Sequence, residues 1–190
     1  MVVHVQTDTP DFRLGTVLGT SFTATLTERE GERLERIPTP ERLADWLEVS
    51  GLTVPPCTAA ELELARGLRE AIHAAATAAA TGTDLPARSV ATLNEHSTRG
   101  RASATLTAAG AREWRLSAEQ PLQDALGVIA ADAIAIVSGA RDGRLALCAS
   151  PTCRAAFFDT SRSRSRRWCD KNTCGNKEKK ARLRARGQAS

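Results

Sequence analysis

The chain has 190 residues, 42% hydrophobic and 25% charged, with a formal net charge of +4 at neutral pH. That length holds one sizeable core plus a small accessory module, and that apolar share excludes a chain disordered throughout. No stretch offers about eighteen consecutive apolar residues, and the opening Met1 to Pro10 lacks a basic region followed by an apolar one, so a soluble, cytoplasmic protein with no membrane partner is expected.

From Gly15 to Leu26 the residues are β-branched and alternate, with Phe22, Ala24 and Leu26 on one face and threonines on the other, which predicts an N-terminal strand. Thr39-Pro40-Glu41 opens a helix with a capping hydroxyl, a proline at its first position and an early acid. Leu43, Trp46 and Leu47 form its buried stripe. Thr58 and Glu61 make a capping box for the next helix, whose apolar positions step by three and four from Leu62 to Ala79 before Gly82. Cys57 reads as a small buried residue, since no cationic neighbour is there to activate it.

Asp84-Leu85-Pro86 begins a third helix through Val90 and Leu93, closed by Gly100. Residues 102–107 and 113–116 predict a β-hairpin with Trp114 inward. A long helix follows, with a capping box from Ser117 and Gln120. It is apolar over most of its circumference from Leu122 to Val137, leaving Asp124 and Asp132 on a polar strip. Arg144 to Leu147 is a short strand leading into Cys148. His73 and His96 sit beside apolar residues without an HExxH-like partner or a nucleophile elbow, and His4 falls in the terminus. The histidines therefore predict neither catalysis nor metal binding.

Four of the five cysteines form two C-x4-C pairs, Cys148/Cys153 and Cys169/Cys174, with fifteen residues between them. Zn2+ takes four thiolates at tetrahedral corners, and two short cysteine turns supply them with no position left for a substrate water. The expected site is one structural zinc. Two disulfides are the alternative, disfavoured because nothing in the sequence signals an oxidising compartment and one of the five cysteines would stay unpaired. Between the pairs lies a Phe-Phe-Asp turn. Phe157 or Phe158, with Trp168, is expected to supply the module's small core, packed against the zinc turns or against the main domain. Pro151 stiffens the first turn, and the Gly175 amide is placed to approach a sulfur.

This segment resembles the CGNR zinc finger, carried by Cys148, Cys153, Phe158, Asp159, Ser161, Arg167-Trp168-Cys169 and Cys174-Gly175-Asn176. In that family the finger closes a protein of this size behind an N-terminal domain called ABATE. The fourth letter of the name-giving motif is Lys177 here, which keeps a cation but not a planar bidentate fork. The ABATE motif near L-D-F-V-N-T is matched only at Phe22 and Thr25, with Ser21 and Ala24 replacing its acidic and amide residues, so no binding residue is carried over from it.

Charge is unevenly placed. Residues 151–190 hold 12 Lys and Arg against 3 Asp and Glu, a net +9, while residues 1–150 hold 14 against 19, a net −5. Arg162, Arg164, Arg166 and Arg167 precede Cys169; Lys177, Lys179, Lys180, Arg182, Arg184 and Arg186 follow Cys174 on an expected helix whose one large apolar residue is Leu183. A helix with so little to bury suits a polyanion, because each phosphate neutralised releases condensed counterion.

The expected architecture is α+β, mainly α. A helical domain over 1–145 carries a small β-hairpin and an N-terminal strand, and a four-cysteine zinc-ribbon-like module with a basic helix spans 146–190. The resemblance implies a stress-linked bacterial transcription regulator. With the tail chemistry it predicts duplex DNA as partner of the zinc module, and an N-terminal domain that senses a small ligand or forms a homodimer. An RNA- or protein-binding adaptor, and an enzyme with its site in the helical domain, are the rival readings.

Overall fold

The computed structural model describes residues 11–187; His4 and its terminus lie outside them. The fold is mainly helical, with three small antiparallel strand pairs.

The expected N-terminal strand is instead a short helix, α1 (Leu18–Thr23), and only Leu26–Thr27 (β1) is extended, paired with Leu34–Glu35 (β2). Hydroxyls feed the helical backbone here. Ser21 donates to the Val17 carbonyl at 2.7 Å, Thr23 to Thr20 at 3.0 Å and Thr25 to Phe22 at 2.7 Å. Gly19 to Thr23 are all buried, and the Gly19 amide donates to Asp132 at 2.8 Å. Tertiary burial overrides the β-propensity of the segment.

Helices α2 (Pro40–Val49) and α3 (Ala59–Thr81) form where their caps place them. Thr39 accepts from the Arg42 amide, the Thr58/Glu61 box is present, and Gly82 ends α3 in the left-handed region at φ +68°. The Trp46 ring packs 4.9 Å from Phe22 in the core. Helix α4 (Ala87–Arg99) lies against α5 (Pro121–Val137), and at their crossing the backbones touch: a Cβ on Gly127 would stand 2.6 Å from the Gly100 Cα. Strands β3 (Ser103–Leu106) and β4 (Arg112–Arg115) make the expected hairpin, with Trp114 partly buried against the core.

Helix α5 starts at Pro121, after the Ser117 turn, and has no side-chain cap; the Ser117 hydroxyl accepts only from the Gln120 amide, at 3.3 Å. Its two acids do not lie on a solvated strip. Asp124 is 1% exposed and accepts the amides of Ser117 (2.6 Å) and Arg101 (2.8 Å), and Asp132 pairs with Arg141 at 2.7 Å. Because α5 is covered on most sides, its carboxylates meet neighbouring backbone amides and, at Asp132, a guanidinium.

The Phe-Phe-Asp stretch expected as a turn is strand β6 (Ala156–Asp159), antiparallel to β5 (Arg144–Leu147), with Leu145 opposite Phe158. All four β6 residues are buried, and Phe158 packs on Val17 and Ile136. The pair rests on α3 and α1, so the segment joining β5 to β6 is held at one end of the helical core. A turn over Glu28–Gly31 faces that segment. It is anchored to α3 by Arg29 with Glu70 (2.6 Å), while Arg69 of the same helix pairs with Glu35 of β2 (2.7 Å) and with its neighbour Glu70 (2.9 Å).

Candidate metal centre and basic module

Cys148 and Cys153 sit at the two ends of the loop between β5 and β6. The Cys148 amide donates to the Ala155 carbonyl at 2.9 Å and the Cys153 amide to Ser150 at 3.2 Å. Of the second pair, Cys169 precedes and Cys174 lies within one π-helical turn, Lys171–Gly175, which Asp170 caps by accepting the amides of Asn172 (2.6 Å) and Thr173 (2.9 Å). The Gly175 amide donates to the Asp170 carbonyl at 3.1 Å, not to a sulfur. Its lack of a Cβ matters instead for Trp168, whose ring a Cβ would meet at 3.2 Å. A bond from the Ala149 amide to the Arg167 carbonyl (2.8 Å) joins the two knuckles.

The four sulfurs lie within 4.8 Å of one another, and none of the five cysteines is in a disulfide. The separations Cys153 to Cys169 (3.7 Å) and Cys169 to Cys174 (3.6 Å) match the edge of about 3.8 Å expected of a tetrahedron with 2.3 Å zinc–sulfur bonds. Cys148, Cys153 and Cys174 are buried and Cys169 half-buried. Sulfurs this close cannot all ionise without a cation among them. Hydrogen bonding with Cys148, then with the other two, pulls Cys153 far below a thiol's ordinary value and pushes Cys169 up; Cys174 is also pushed up, first by Cys148. A divalent cation removes that conflict, and the donor set fits one zinc ion. Cys57 is apart, half-buried, with its thiol pushed up by burial. Among the described residues no second metal-ligating cluster occurs.

Several residues that sequence reading did not single out hold this module. Glu28 accepts from Lys177 (2.7 Å) and Thr152 (2.6 Å), and the amides of Arg29 and Glu30 donate to the carbonyls of Cys153 (3.2 Å) and Thr152 (3.0 Å). Ser150 donates to Glu178 at 3.0 Å. Fully buried Asp159 accepts the amides of Ser161 and Arg166, both at 2.9 Å, and so shapes the arginine-rich loop. Asp159 belongs to the recognised motif; no local signal marks Glu28.

The basic residues divide. Lys177, the motif's cation, is tied to Glu28, which raises its pKa. Arg164 pairs with Asp142, and Arg166 donates to the Cys169 carbonyl (2.8 Å) with its guanidinium 5.3 Å from the Phe157 ring. Arg167 lies over Trp168 at 5.2 Å. Arg162, Arg167, Lys179, Lys180 and Arg184 are exposed with no ion-pair partner among the described residues. The last three ride on α6 (Asn176–Gly187), which also carries Arg182 and Arg186 and whose Leu183 is 59% exposed. Trp168 packs against the cysteine cluster, whereas Phe158 packs on the helical core.

A four-cysteine knuckle built on the end of a mainly helical domain defines a zinc-finger protein. Family comparison agrees: residues 144–187 match the CGNR zinc finger, and residues 17–140 match ABATE, described as "putative stress-induced transcription regulator". The second match spans more than half of the chain, and the chain belongs to the ABATE family, closing with a CGNR zinc finger. A search of curated proteins found no match. Among the described residues no helix is long and apolar enough to cross a membrane.

Proposed function

We propose that this protein is a transcription regulator in which the unit over 146–190, with zinc held by Cys148, Cys153, Cys169 and Cys174, binds duplex DNA, while the unit over 1–145 senses a small ligand or dimerises. The observation that carries the reading is α6. Beyond Glu178 every position whose side chain is described is exposed, Leu183 included, and its first turn joins the metal centre rather than the helical core. A helix held so firmly at its root and burying so little suits contact with a polyanion. Arg162 and Arg167 add to it from the loop before Cys169. Lys177 and Arg164 contribute least, since each is already neutralised by a carboxylate.

The test is a salt-dependent titration of the zinc-loaded protein against random duplex DNA and single-stranded RNA. If Arg162, Arg167, Lys179, Lys180 and Arg184 each neutralise one phosphate, log affinity falls against log salt with a slope of about −4.5 on duplex DNA. Cutting the chain after Asn176 should remove roughly half of that slope. A preference for single-stranded RNA at equal salt turns the reading to an adaptor. Equal duplex affinity of whole and truncated chains, or none in either at low salt, refutes it.

A further inference from the structure

We infer that the cleft between α1 and the zinc module binds a small organic anion, a charged headgroup on a compact apolar body, and that the ligand clasps the two units together. The inference deepens the sensing role proposed above and rests on it.

The cleft measures about 540 Å3, within the ordinary range for small-ligand sites. One side is formed by the approach to α1 and the helix itself, with Arg13, Thr16, Thr20 and Ala24; the other is β6 with Arg166 and the Asp170–Asn172 turn. Its floor is apolar where Ala156, Phe157 and Phe158 line it, and these are buried residues. A bare inorganic ion would leave that floor uncovered.

Charge sets the sign of the headgroup. Arg13, Arg166 and Lys171 line the cleft against one carboxylate, Asp170, which already accepts two backbone amides. Behind Thr27, which also lines the cleft, stands Arg36, 2% exposed. Its guanidinium donates to the carbonyls of Asp11 (2.9 Å) and Leu34 (3.3 Å) and to the Thr27 hydroxyl (2.6 Å), and it has no carboxylate partner among the described residues. A terminal guanidinium nitrogen of Arg13 is buried and makes no hydrogen bond among the described residues. A buried donor left unpaired is costly, and an entering carboxylate or phosphate oxygen satisfies it with a charge-assisted bond. Because the lining comes from both units, binding and docking of the module are linked.

Calorimetry on the zinc-loaded full chain decides it, with benzoate, phenyl phosphate, inorganic phosphate and benzamide as probes. One aromatic anion should bind once per chain, and benzamide and inorganic phosphate about tenfold or more weaker. Whether benzoate or phenyl phosphate binds tighter tells a carboxylate ligand from a phosphate one. Arg13→Gln should weaken binding by about tenfold with zinc content unchanged, and Arg162→Gln should leave it unchanged. Should Arg13→Gln fail to fold, Ala24→Phe, which fills the cleft, should abolish binding. No heat from either aromatic anion up to about 10 mM, equal binding of benzamide, or binding that survives both variants overturns the inference. None of these results touches duplex affinity, so the DNA reading stands or falls separately.

Discussion

Chelating the zinc, or replacing Cys169 by Ser, should release the chain from Thr160 to Gly187 while leaving β5 and β6 on the helical core. Between those bounds Cys174 is the one fully buried residue among those whose side chains are described, with Trp168 half-buried beside it. Ordering each backbone residue costs about 1–2 kcal/mol, and burial of one large side chain returns only about 1.5–3 kcal/mol. The metal, at about 10–16 kcal/mol in small zinc modules, is the dominant favourable contribution. β6 is placed differently, since Phe157 and Phe158 are each buried and Phe158 contacts Val17 and Ile136. Hydrogen exchange followed by mass spectrometry reads both halves at once. After chelation, peptides from 160–187 should exchange at unfolded-chain rates while those covering α3, α5, β5 and β6 keep their protection. Protection that persists in 160–187 without metal, or that vanishes from β6 together with it, refutes the division.

Asp124→Ala leaves the amides of Ser117 and Arg101 without their carboxylate and should cost up to about 3–6 kcal/mol in urea unfolding, at about 1.5–3 kcal/mol for each charged hydrogen bond. Burial alone would raise the Asp124 pKa, but the amides of Ser117 and Arg101 outweigh it and the net shift is downward. Its contribution is therefore complete above about pH 4 and declines as pH falls towards the lowered value; wild type and Asp124→Ala should converge in stability under acid, and a constant gap would contradict the assignment. Gly127→Ala drives a methyl into the Gly100 backbone and should destabilise by about 1–3 kcal/mol, read as a lowered melting temperature. A double-mutant cycle on Glu28→Gln and Lys177→Ala should give a coupling of about 1 kcal/mol or less, since Lys177 is half exposed; additive effects would mean that the pair does not latch the module. Cys57→Ser should leave zinc content unchanged by metal analysis, as Cys57 stands outside the sulfur cluster.

What could be foreseen from the chain alone was chemistry settled within a few residues. The Thr58/Glu61 box, the Gly82 stop and the paired C-x4-C turns depend on neighbours in sequence, so their spacing carries the whole message. The division of charge between residues 1–150 and the tail is likewise a property of composition. Tertiary contact decided the rest. The Gly15–Leu26 segment has strand-forming residues, yet α1 prevails because its Ser and Thr hydroxyls serve the backbone and its residues are buried. Asp124 looks like a surface acid until the loops bearing Arg101 and Ser117 fold over α5. Lys177 reads as one more tail cation, and only its approach to Glu28, 149 positions earlier, turns it into a tether. The cleft faced by Arg13 and Arg166 has no local signature at all. Its walls come from opposite ends of the sequence, and a hydrogen bond or a charge balance made across such a distance depends on where packing brings the chain, which residue spacing does not encode.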